Sequence, residues 1–109
     1  RVASPFAFRK GTYHAVSLHV RLNSPARLSN GFTRLYVDGK LVEADEGIQF
    51  RSVEGPQTLI SKFSFTTFHG GHDPSWAPRT RDGRFANVHA YFDNFAVYPG
   101  ARIRSRPGS

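Results

Sequence analysis

The chain contains no cysteine and no methionine among its 109 residues. Without cysteine, no disulfide can stabilise the fold and no thiol chemistry is available. Because methionine is missing even at position 1, we expect the chain to begin after processing or within a longer precursor. Apolar runs of about 20 residues are also absent, so the sequence predicts no membrane-spanning helix.

Acidic residues are scarce relative to basic ones. Asp and Glu total 8 against 15 Lys and Arg, which gives a formal net charge of +7. Arginine supplies 12 of the 15 cations, and its guanidinium forms paired hydrogen bonds with carboxylate, sulfate or phosphate groups. The charge fits an anionic partner (a uronate polysaccharide, a sulfated glycan or a nucleic acid), or it is only a soluble basic surface.

Apolar and polar residues alternate with a period of two, which is typical of half-buried β-strands. Val16, Leu18 and Val20 fall on one face of such a strand, while Ser17 and His19 point the other way. Asp38-Gly39 between two apolar runs predicts a tight hairpin turn. The predicted strands are residues 4–9, 13–22, 32–38, 40–43, 48–52, 59–68 and 88–98.

This number of short strands, with no convincing helix, predicts an all-β fold: an antiparallel β-sandwich or jelly roll. We expect residues 1–100 to form a single β-sandwich domain and residues 101–109 to form a basic flexible tail. A domain half the size of a full jelly roll leaves apolar sheet face and strand edges to be covered. We therefore expect a homodimer or a complementary chain.

Several short blocks carry a resemblance to known proteins. The most specific is Phe68-His69-Gly70-Gly71 leading to Ser75-Trp76-Ala77. The other blocks are residues 20–23, 30–31, 36–40, 50–51 and 91–94. Together they resemble polysaccharide lyase family 14 and its fungal relatives. More broadly, residues 11–13 with the strand after them, 35–42 and 91–98 resemble the concanavalin and laminin-G group of sandwiches. The resemblance covers residues 6–98.

The resemblance implies a β-jelly roll related to enzymes that cleave polyuronates by β-elimination. It also implies that the family's catalytic lysine, its Ser-x-Arg and its Tyr-x-Tyr lie in the half that precedes the region matched here. No Ser-x-Arg followed by Tyr-x-Tyr occurs in this chain. We therefore expect the scaffold and a saccharide-facing surface of the C-terminal half, and no catalytic residue.

Three functions remain open from the sequence. The first is a secreted, carbohydrate-binding, lectin-like protein that lacks the catalytic half of a lyase. The alternative is the C-terminal portion of an active lyase that cleaves polyuronates by β-elimination. Nucleic-acid binding is the weakest, because the chain has no basic helix or reader motif and its arginines are scattered.

Candidate saccharide contacts come from strand parity and from one long predicted loop, residues 69–87. Such contacts are either binding groups or an ordinary solvated face and loop tip. Trp76 either stacks on a sugar ring or pins the loop to the core. The candidate carbohydrate-binding residues are Arg34, Tyr36, Lys62, His69, His72, Asp73, Trp76, Arg79 and Arg81.

The same loop also contains residue types that bind metal ions. His69, His72 and Asp73 are three possible ligands on a glycine-rich backbone, whereas structural sites use four convergent ligands with a fixed second shell. We therefore expect no metal and no cofactor, and we expect these side chains to hydrogen-bond sugar hydroxyls or to structure the loop.

Overall fold

The computed structural model describes residues 2–67 and 74–108, apart from the side chains of Val2 and Trp76. It divides into two compact units, one comprising Arg1–Ile60 with Ala96–Ser109 and the other comprising Ser61–Phe95. Neither of the short helices in the described part of the chain is long and apolar enough to cross a membrane.

The first unit is built on one antiparallel sheet of four strands. They are β1 (Val2–Ala3), β2 (Val16–Arg21), β3 (Gly31–Val37) and β4 (Lys40–Ile48), in the spatial order β1-β4-β3-β2. Two 3₁₀ turns, Pro56–Thr58 and Pro74–Trp76, are the only helical elements in the described residues. The predicted all-β antiparallel fold is confirmed.

The β3–β4 hairpin forms where the sequence predicts it. Asp38 and Gly39 both have positive φ, 51° and 82°, which matches a two-residue turn whose twist suits the flanking strands. The Asp38 carboxylate accepts a hydrogen bond from the Ala15 N–H at 2.9 Å, and the Asp38 N–H donates to the Ala15 carbonyl at 2.7 Å. These bonds fix the start of β2 against the turn.

The prediction of a first strand over residues 4–9 is wrong. Only Val2–Ala3 pairs with the sheet, and residues 4–9 then cross its end as a strap. The strap is held at one end by the Ser4 N–H, which donates to the Val42 carbonyl at 2.8 Å, and at the other by the Arg9 N–H on His14. Phe6 and Phe8 pack edge to face with each other within the strap, with ring centres 4.6 Å apart.

The predicted strands 59–68 and 88–98 form no ladder over their described residues. An isolated strand has no neighbour for its backbone groups, so alternation alone does not make one. In the second of these segments, Asn94 has φ of 59° and its N–H donates to the Asp93 carboxylate, which interrupts an extended run. Within the second unit the two segments nevertheless contact each other: the ring centres of Phe65 and Phe92 lie 4.7 Å apart.

The predicted strand 48–52 also differs from the structure. Residue Ile48 ends β4, whereas residues 49–52 turn away and bond to Asn23 and Ala26. The hairpin return strand predicted as 40–43 is correspondingly longer, because β4 runs over nine residues. A second sheet, which a sandwich requires, is not formed by the described residues. The sandwich therefore stays a prediction.

One expected core face is open. Val16 and Leu18 lie on the apolar face of β2 and are 52% and 64% exposed. A sheet buries this face only under a second layer of structure. The buried apolar residues are Ala15, Ala26, Phe32, Val37 and Ala44.

The last residues of the chain contact the same sheet. The Arg104 N–H donates to the Ser17 hydroxyl at 3.1 Å. Arg102 lies over the ring of Tyr98, 4.4 Å from its centre. Flexibility of residues 101–109 stays a prediction.

Candidate saccharide-binding surface

The sheet carries polar and aromatic side chains on the face opposite Val16 and Leu18. Strand register places Ser17 beside Tyr36, His19 beside Arg34, and Arg21 beside Phe32. Cross-strand partners project from the same face of a sheet. We call this set, together with Glu46 of β4, the Arg34 face; its residues are Ser17, His19, Arg21, Phe32, Arg34, Tyr36 and Glu46.

Arg34 is the centre of this face. Its Nε donates to Glu46 Oε1 at 2.8 Å, and its guanidinium lies 3.8 Å from the centre of the Phe32 ring. The hydrogen bond to Glu46 raises the pKa of Arg34 further, and Tyr36 adds to the effect. Arg34 is therefore a fixed cation with donors directed along the sheet.

His19 belongs to the same cluster and was not among the residues predicted from the sequence. Its ring meets Phe32 edge to face at 4.9 Å, and its backbone pairs with Arg34. Phe32 is only 8% exposed because His19 and Arg34 cover it. Strand parity contained the signal, since His19 alternates with the apolar residues of β2 and points with Ser17.

Of the predicted candidates, the structure brings Arg34 and Tyr36 together on β3. Lys62, Arg79 and Arg81 belong to the second unit. Lys62 and Arg81 are exposed and make no hydrogen bond or ion pair with the described residues.

Arg79 is engaged within a small hairpin of the second unit. Its guanidinium lies 4.0 Å from the centre of the Phe85 ring, and its Nη1 donates to the Gly83 carbonyl at 3.0 Å. An isolated antiparallel bridge joins Arg79 to Phe85 across the Asp82-Gly83 turn. The Thr80 hydroxyl donates to Asp82 and lowers the pKa of that carboxyl, so the turn is held by its own side chains.

The remaining candidates cannot be placed. His69, His72 and Asp73 lie outside the described residues, as does the side chain of Trp76. Among the residues that are described, no group of three His, Asp or Glu side chains converges on a metal position. A role for these four residues in binding stays a prediction.

Comparison with known families decides the assignment. The family model for Polysaccharide lyase 14 matches residues 3–95, which is most of the chain. The chain belongs to the polysaccharide lyase 14 family. Searches of curated proteins and of solved structures found no match. The chain is therefore a lyase-related domain whose class of ligand is a polysaccharide.

Two blocks that resemble the polysaccharide lyase 14 family meet at one buried residue, Asn23. Its side chain is 0% exposed, and its Nδ2 donates to the carbonyls of Ala26 and Arg51 at 2.8 and 3.0 Å. Its Oδ1 accepts the N–H groups of Phe50 and Arg51 at 2.9 and 3.2 Å. The Arg51 Nε in turn donates to the Asn23 carbonyl at 3.0 Å. These blocks join the end of β2 to the segment after β4, so their role here is structural.

A third block of the family pattern, Asn30-Gly31, also has a structural cause. A Cβ on Gly31 would meet the Ile48 carbonyl at 2.8 Å and the Arg21 carbonyl at 2.9 Å. The backbones of three strands approach one another there, and only glycine leaves room. Asn23, Gly31 and Arg51 contribute no group to the Arg34 face. Arg21, which belongs to the block of residues 20–23, does lie on that face.

Proposed function

We propose that this chain binds an acidic polysaccharide through the Arg34 face and does not cleave it. The observation that carries the proposal is the cluster of Arg34, His19, Phe32 and Tyr36 on one face of the sheet. The half-buried side chains of Arg34, His19 and Tyr36 offer a fixed cation, hydrogen-bonding groups and aromatic rings, with Phe32 packed beneath them. These are the groups that recognise a sugar ring bearing a carboxylate.

The formal charge supports an acidic ligand. The chain carries +7, and Arg21 on the same face is exposed and makes no ion pair with the described residues. Arg34 is partly neutralised by Glu46, so Arg21 is the cation on this face best able to meet a ligand carboxylate. Arg34 would then orient the ligand through its remaining N–H groups.

The first test is an affinity series with alginate and glucuronan, measured by calorimetry. We expect Arg21→Gln and His19→Ala each to weaken binding about tenfold, the usual scale for removing one central contact. Arg84→Gln is the control, since it removes the same formal charge from an 84% exposed side chain of the second unit, where Arg84 pairs with the exposed Asp82 at 3.4 Å. Equal losses for Arg21→Gln and Arg84→Gln would show that only net charge matters and would overturn the assigned surface.

Cleavage is the second candidate function. Family membership and the shared face of His19 and Tyr36 favour it, because β-elimination needs a base, an acid and a cation that neutralises the uronate carboxylate. We place it second because the resemblance puts the catalytic lysine, Ser-x-Arg and Tyr-x-Tyr in a preceding half. A complementary chain would then supply them.

We further propose that the protein acts outside the cell and associates with a second copy. Support for association comes from β2, which lies at the edge of the sheet and exposes Val16 and Leu18. Exposed apolar faces and open strand edges are commonly covered by a partner. Support for an extracellular location comes from the polysaccharide ligand class of the family.

A further inference from the structure

A pocket of about 280 Å³ lies at the hairpin end of the sheet, under the strap formed by residues 4–9. Val37, rather than Tyr36, lines it, so the pocket is distinct from the Arg34 face. It lies wholly within the first unit. Its lining residues are Pro5, Phe6, Ala7, Arg9, His14, Val37, Asp38, Lys40 and Val42.

The inner wall is formed by a hydrogen-bonded pair, the largely buried His14 and the partly exposed Asp38. The His14 side chain is 8% exposed, and its Nε2 accepts the Arg9 N–H at 3.0 Å. Because Nε2 accepts, the ring is uncharged and carries its proton on Nδ1, which donates to Asp38 Oδ2 at 2.8 Å. The other carboxylate oxygen accepts the Ala15 N–H, so both Asp38 oxygens are already engaged.

Two cations line the same pocket, Arg9 and Lys40. Neither side chain makes a hydrogen bond or an ion pair with the described residues, although the charge of Arg9 acts on Asp38. With His14 neutral, two cations and one carboxylate leave one positive charge. That charge suits a monoanion.

The remaining wall is apolar. Pro5, Phe6, Val37 and Val42 contribute carbon surface, and the Phe6 ring is held edge to face against Phe8 at 4.6 Å. A ring with one apolar face can pack on this wall while its charged substituent reaches Arg9 and Lys40.

We propose that this pocket binds a ring bearing a single carboxylate, such as the terminal residue of an acidic saccharide. The carboxylate lies between the guanidinium of Arg9 and the ammonium of Lys40, and the ring packs against Phe6 and Val42. Asp38 and His14 form no ion pair with the ligand. Their hydrogen bonds hold the strap in place and thereby position Arg9. The site is separate from the Arg34 face, so it stands or falls independently of the proposed function.

The test is a titration of the full chain with sodium glucuronate, followed through backbone amide NMR shifts. We expect saturable shifts at the Arg9, Ala15 and Asp38 amides, whether or not His19 and Tyr36 of the Arg34 face also shift. Glucose should produce no saturable shifts, because it lacks the carboxylate.

Variants then assign the contacts. Arg9→Gln and Lys40→Gln should each weaken glucuronate binding about tenfold, and Arg84→Gln should leave it unchanged. Both pocket variants should keep the fold, because Arg9 anchors the strap through its backbone N–H and Lys40 pairs with Val37 through the backbone of the β3–β4 ladder. Unchanged affinity in either variant, equal binding of glucose, or shifts confined to the Arg34 face would overturn the proposal.

Discussion

At the scale of single residues, Asn23 shows how a family pattern can be structural. An asparagine has two donors and two acceptor lone pairs, and here the side chain meets four backbone groups with no exposure to solvent. The sequence marked residues 20–23 and 50–51 as matching blocks but could not say that they touch, because they lie far apart in the chain. Only the folded register after β4 brings them together.

Replacing Asn23 by alanine should lower the free energy of unfolding by about 3 kcal/mol, because it leaves buried backbone groups without partners. Urea unfolding measures the change. Asn30→Ala is the matched control: Asn30 also makes two hydrogen bonds, to the backbone of Ser24, but it is exposed and water can replace it. Its cost should stay below about 1 kcal/mol. Equal costs would contradict the structural role assigned to Asn23.

At the scale of elements, the β3–β4 hairpin was predictable and the strands after residue 59 were not. Asp38-Gly39 encodes its own turn, so local chemistry sufficed. Residues 59–67 and 88–98 alternate just as clearly, yet alternation supplies no pairing partner, and Asn94 adopts a left-handed conformation that breaks the second run. The sequence could not predict the strap for a similar reason, because the hydrogen bond that anchors it to His14 is a tertiary contact.

The same hairpin predicts a dependence on pH. Hydrogen bonds from the Ala15 N–H, and then from His14, lower the pKa of Asp38 below its ordinary value of 3.8. A lowered pKa in the folded state means that the ionised carboxylate stabilises the fold above the unfolded pKa. That stabilisation is lost as the pH falls through the lower, folded value.

Asp38→Asn isolates this effect, because asparagine also tolerates the positive φ of the turn. At neutral pH the variant should unfold at a lower temperature than the natural protein. The difference should shrink as the pH falls below about 4, where the natural carboxylate begins to protonate. Thermal unfolding followed from pH 7 to about pH 2 measures both, and a difference that stays constant over this range would contradict the role of the charge.

The candidate site was predictable in part. Strand parity placed Arg34 and Tyr36 on one face, and the structure confirms that they share it. Strand parity also placed His19 on this face, but nothing in the sequence singled it out as a site residue. Only the folded register sets it beside Arg34 and over Phe32. The pocket beneath the strap could not be predicted, because it depends on residues 4–9, for which the sequence predicts a strand.

At the scale of the whole molecule, charge and family point to the same ligand class. A polysaccharide lyase 14 domain with a net charge of +7 is suited to an acidic polysaccharide, and its sheet presents arginine and aromatic groups on one face. The opposite face of β2 is apolar and open. Under the proposed function, the Arg34 face would meet a saccharide and the apolar face a second copy of the chain.

The central claim is binding without cleavage, and one assay tests it most directly. The full chain alone is mixed with alginate or glucuronan, and affinity is measured alongside the ultraviolet absorbance of the unsaturated uronate that β-elimination creates. We predict saturable binding that Arg21→Gln weakens, with no unsaturated product. Product formed by the purified chain would contradict the claim and reveal a catalytic set within these residues; absence of binding to both polymers would equally contradict it.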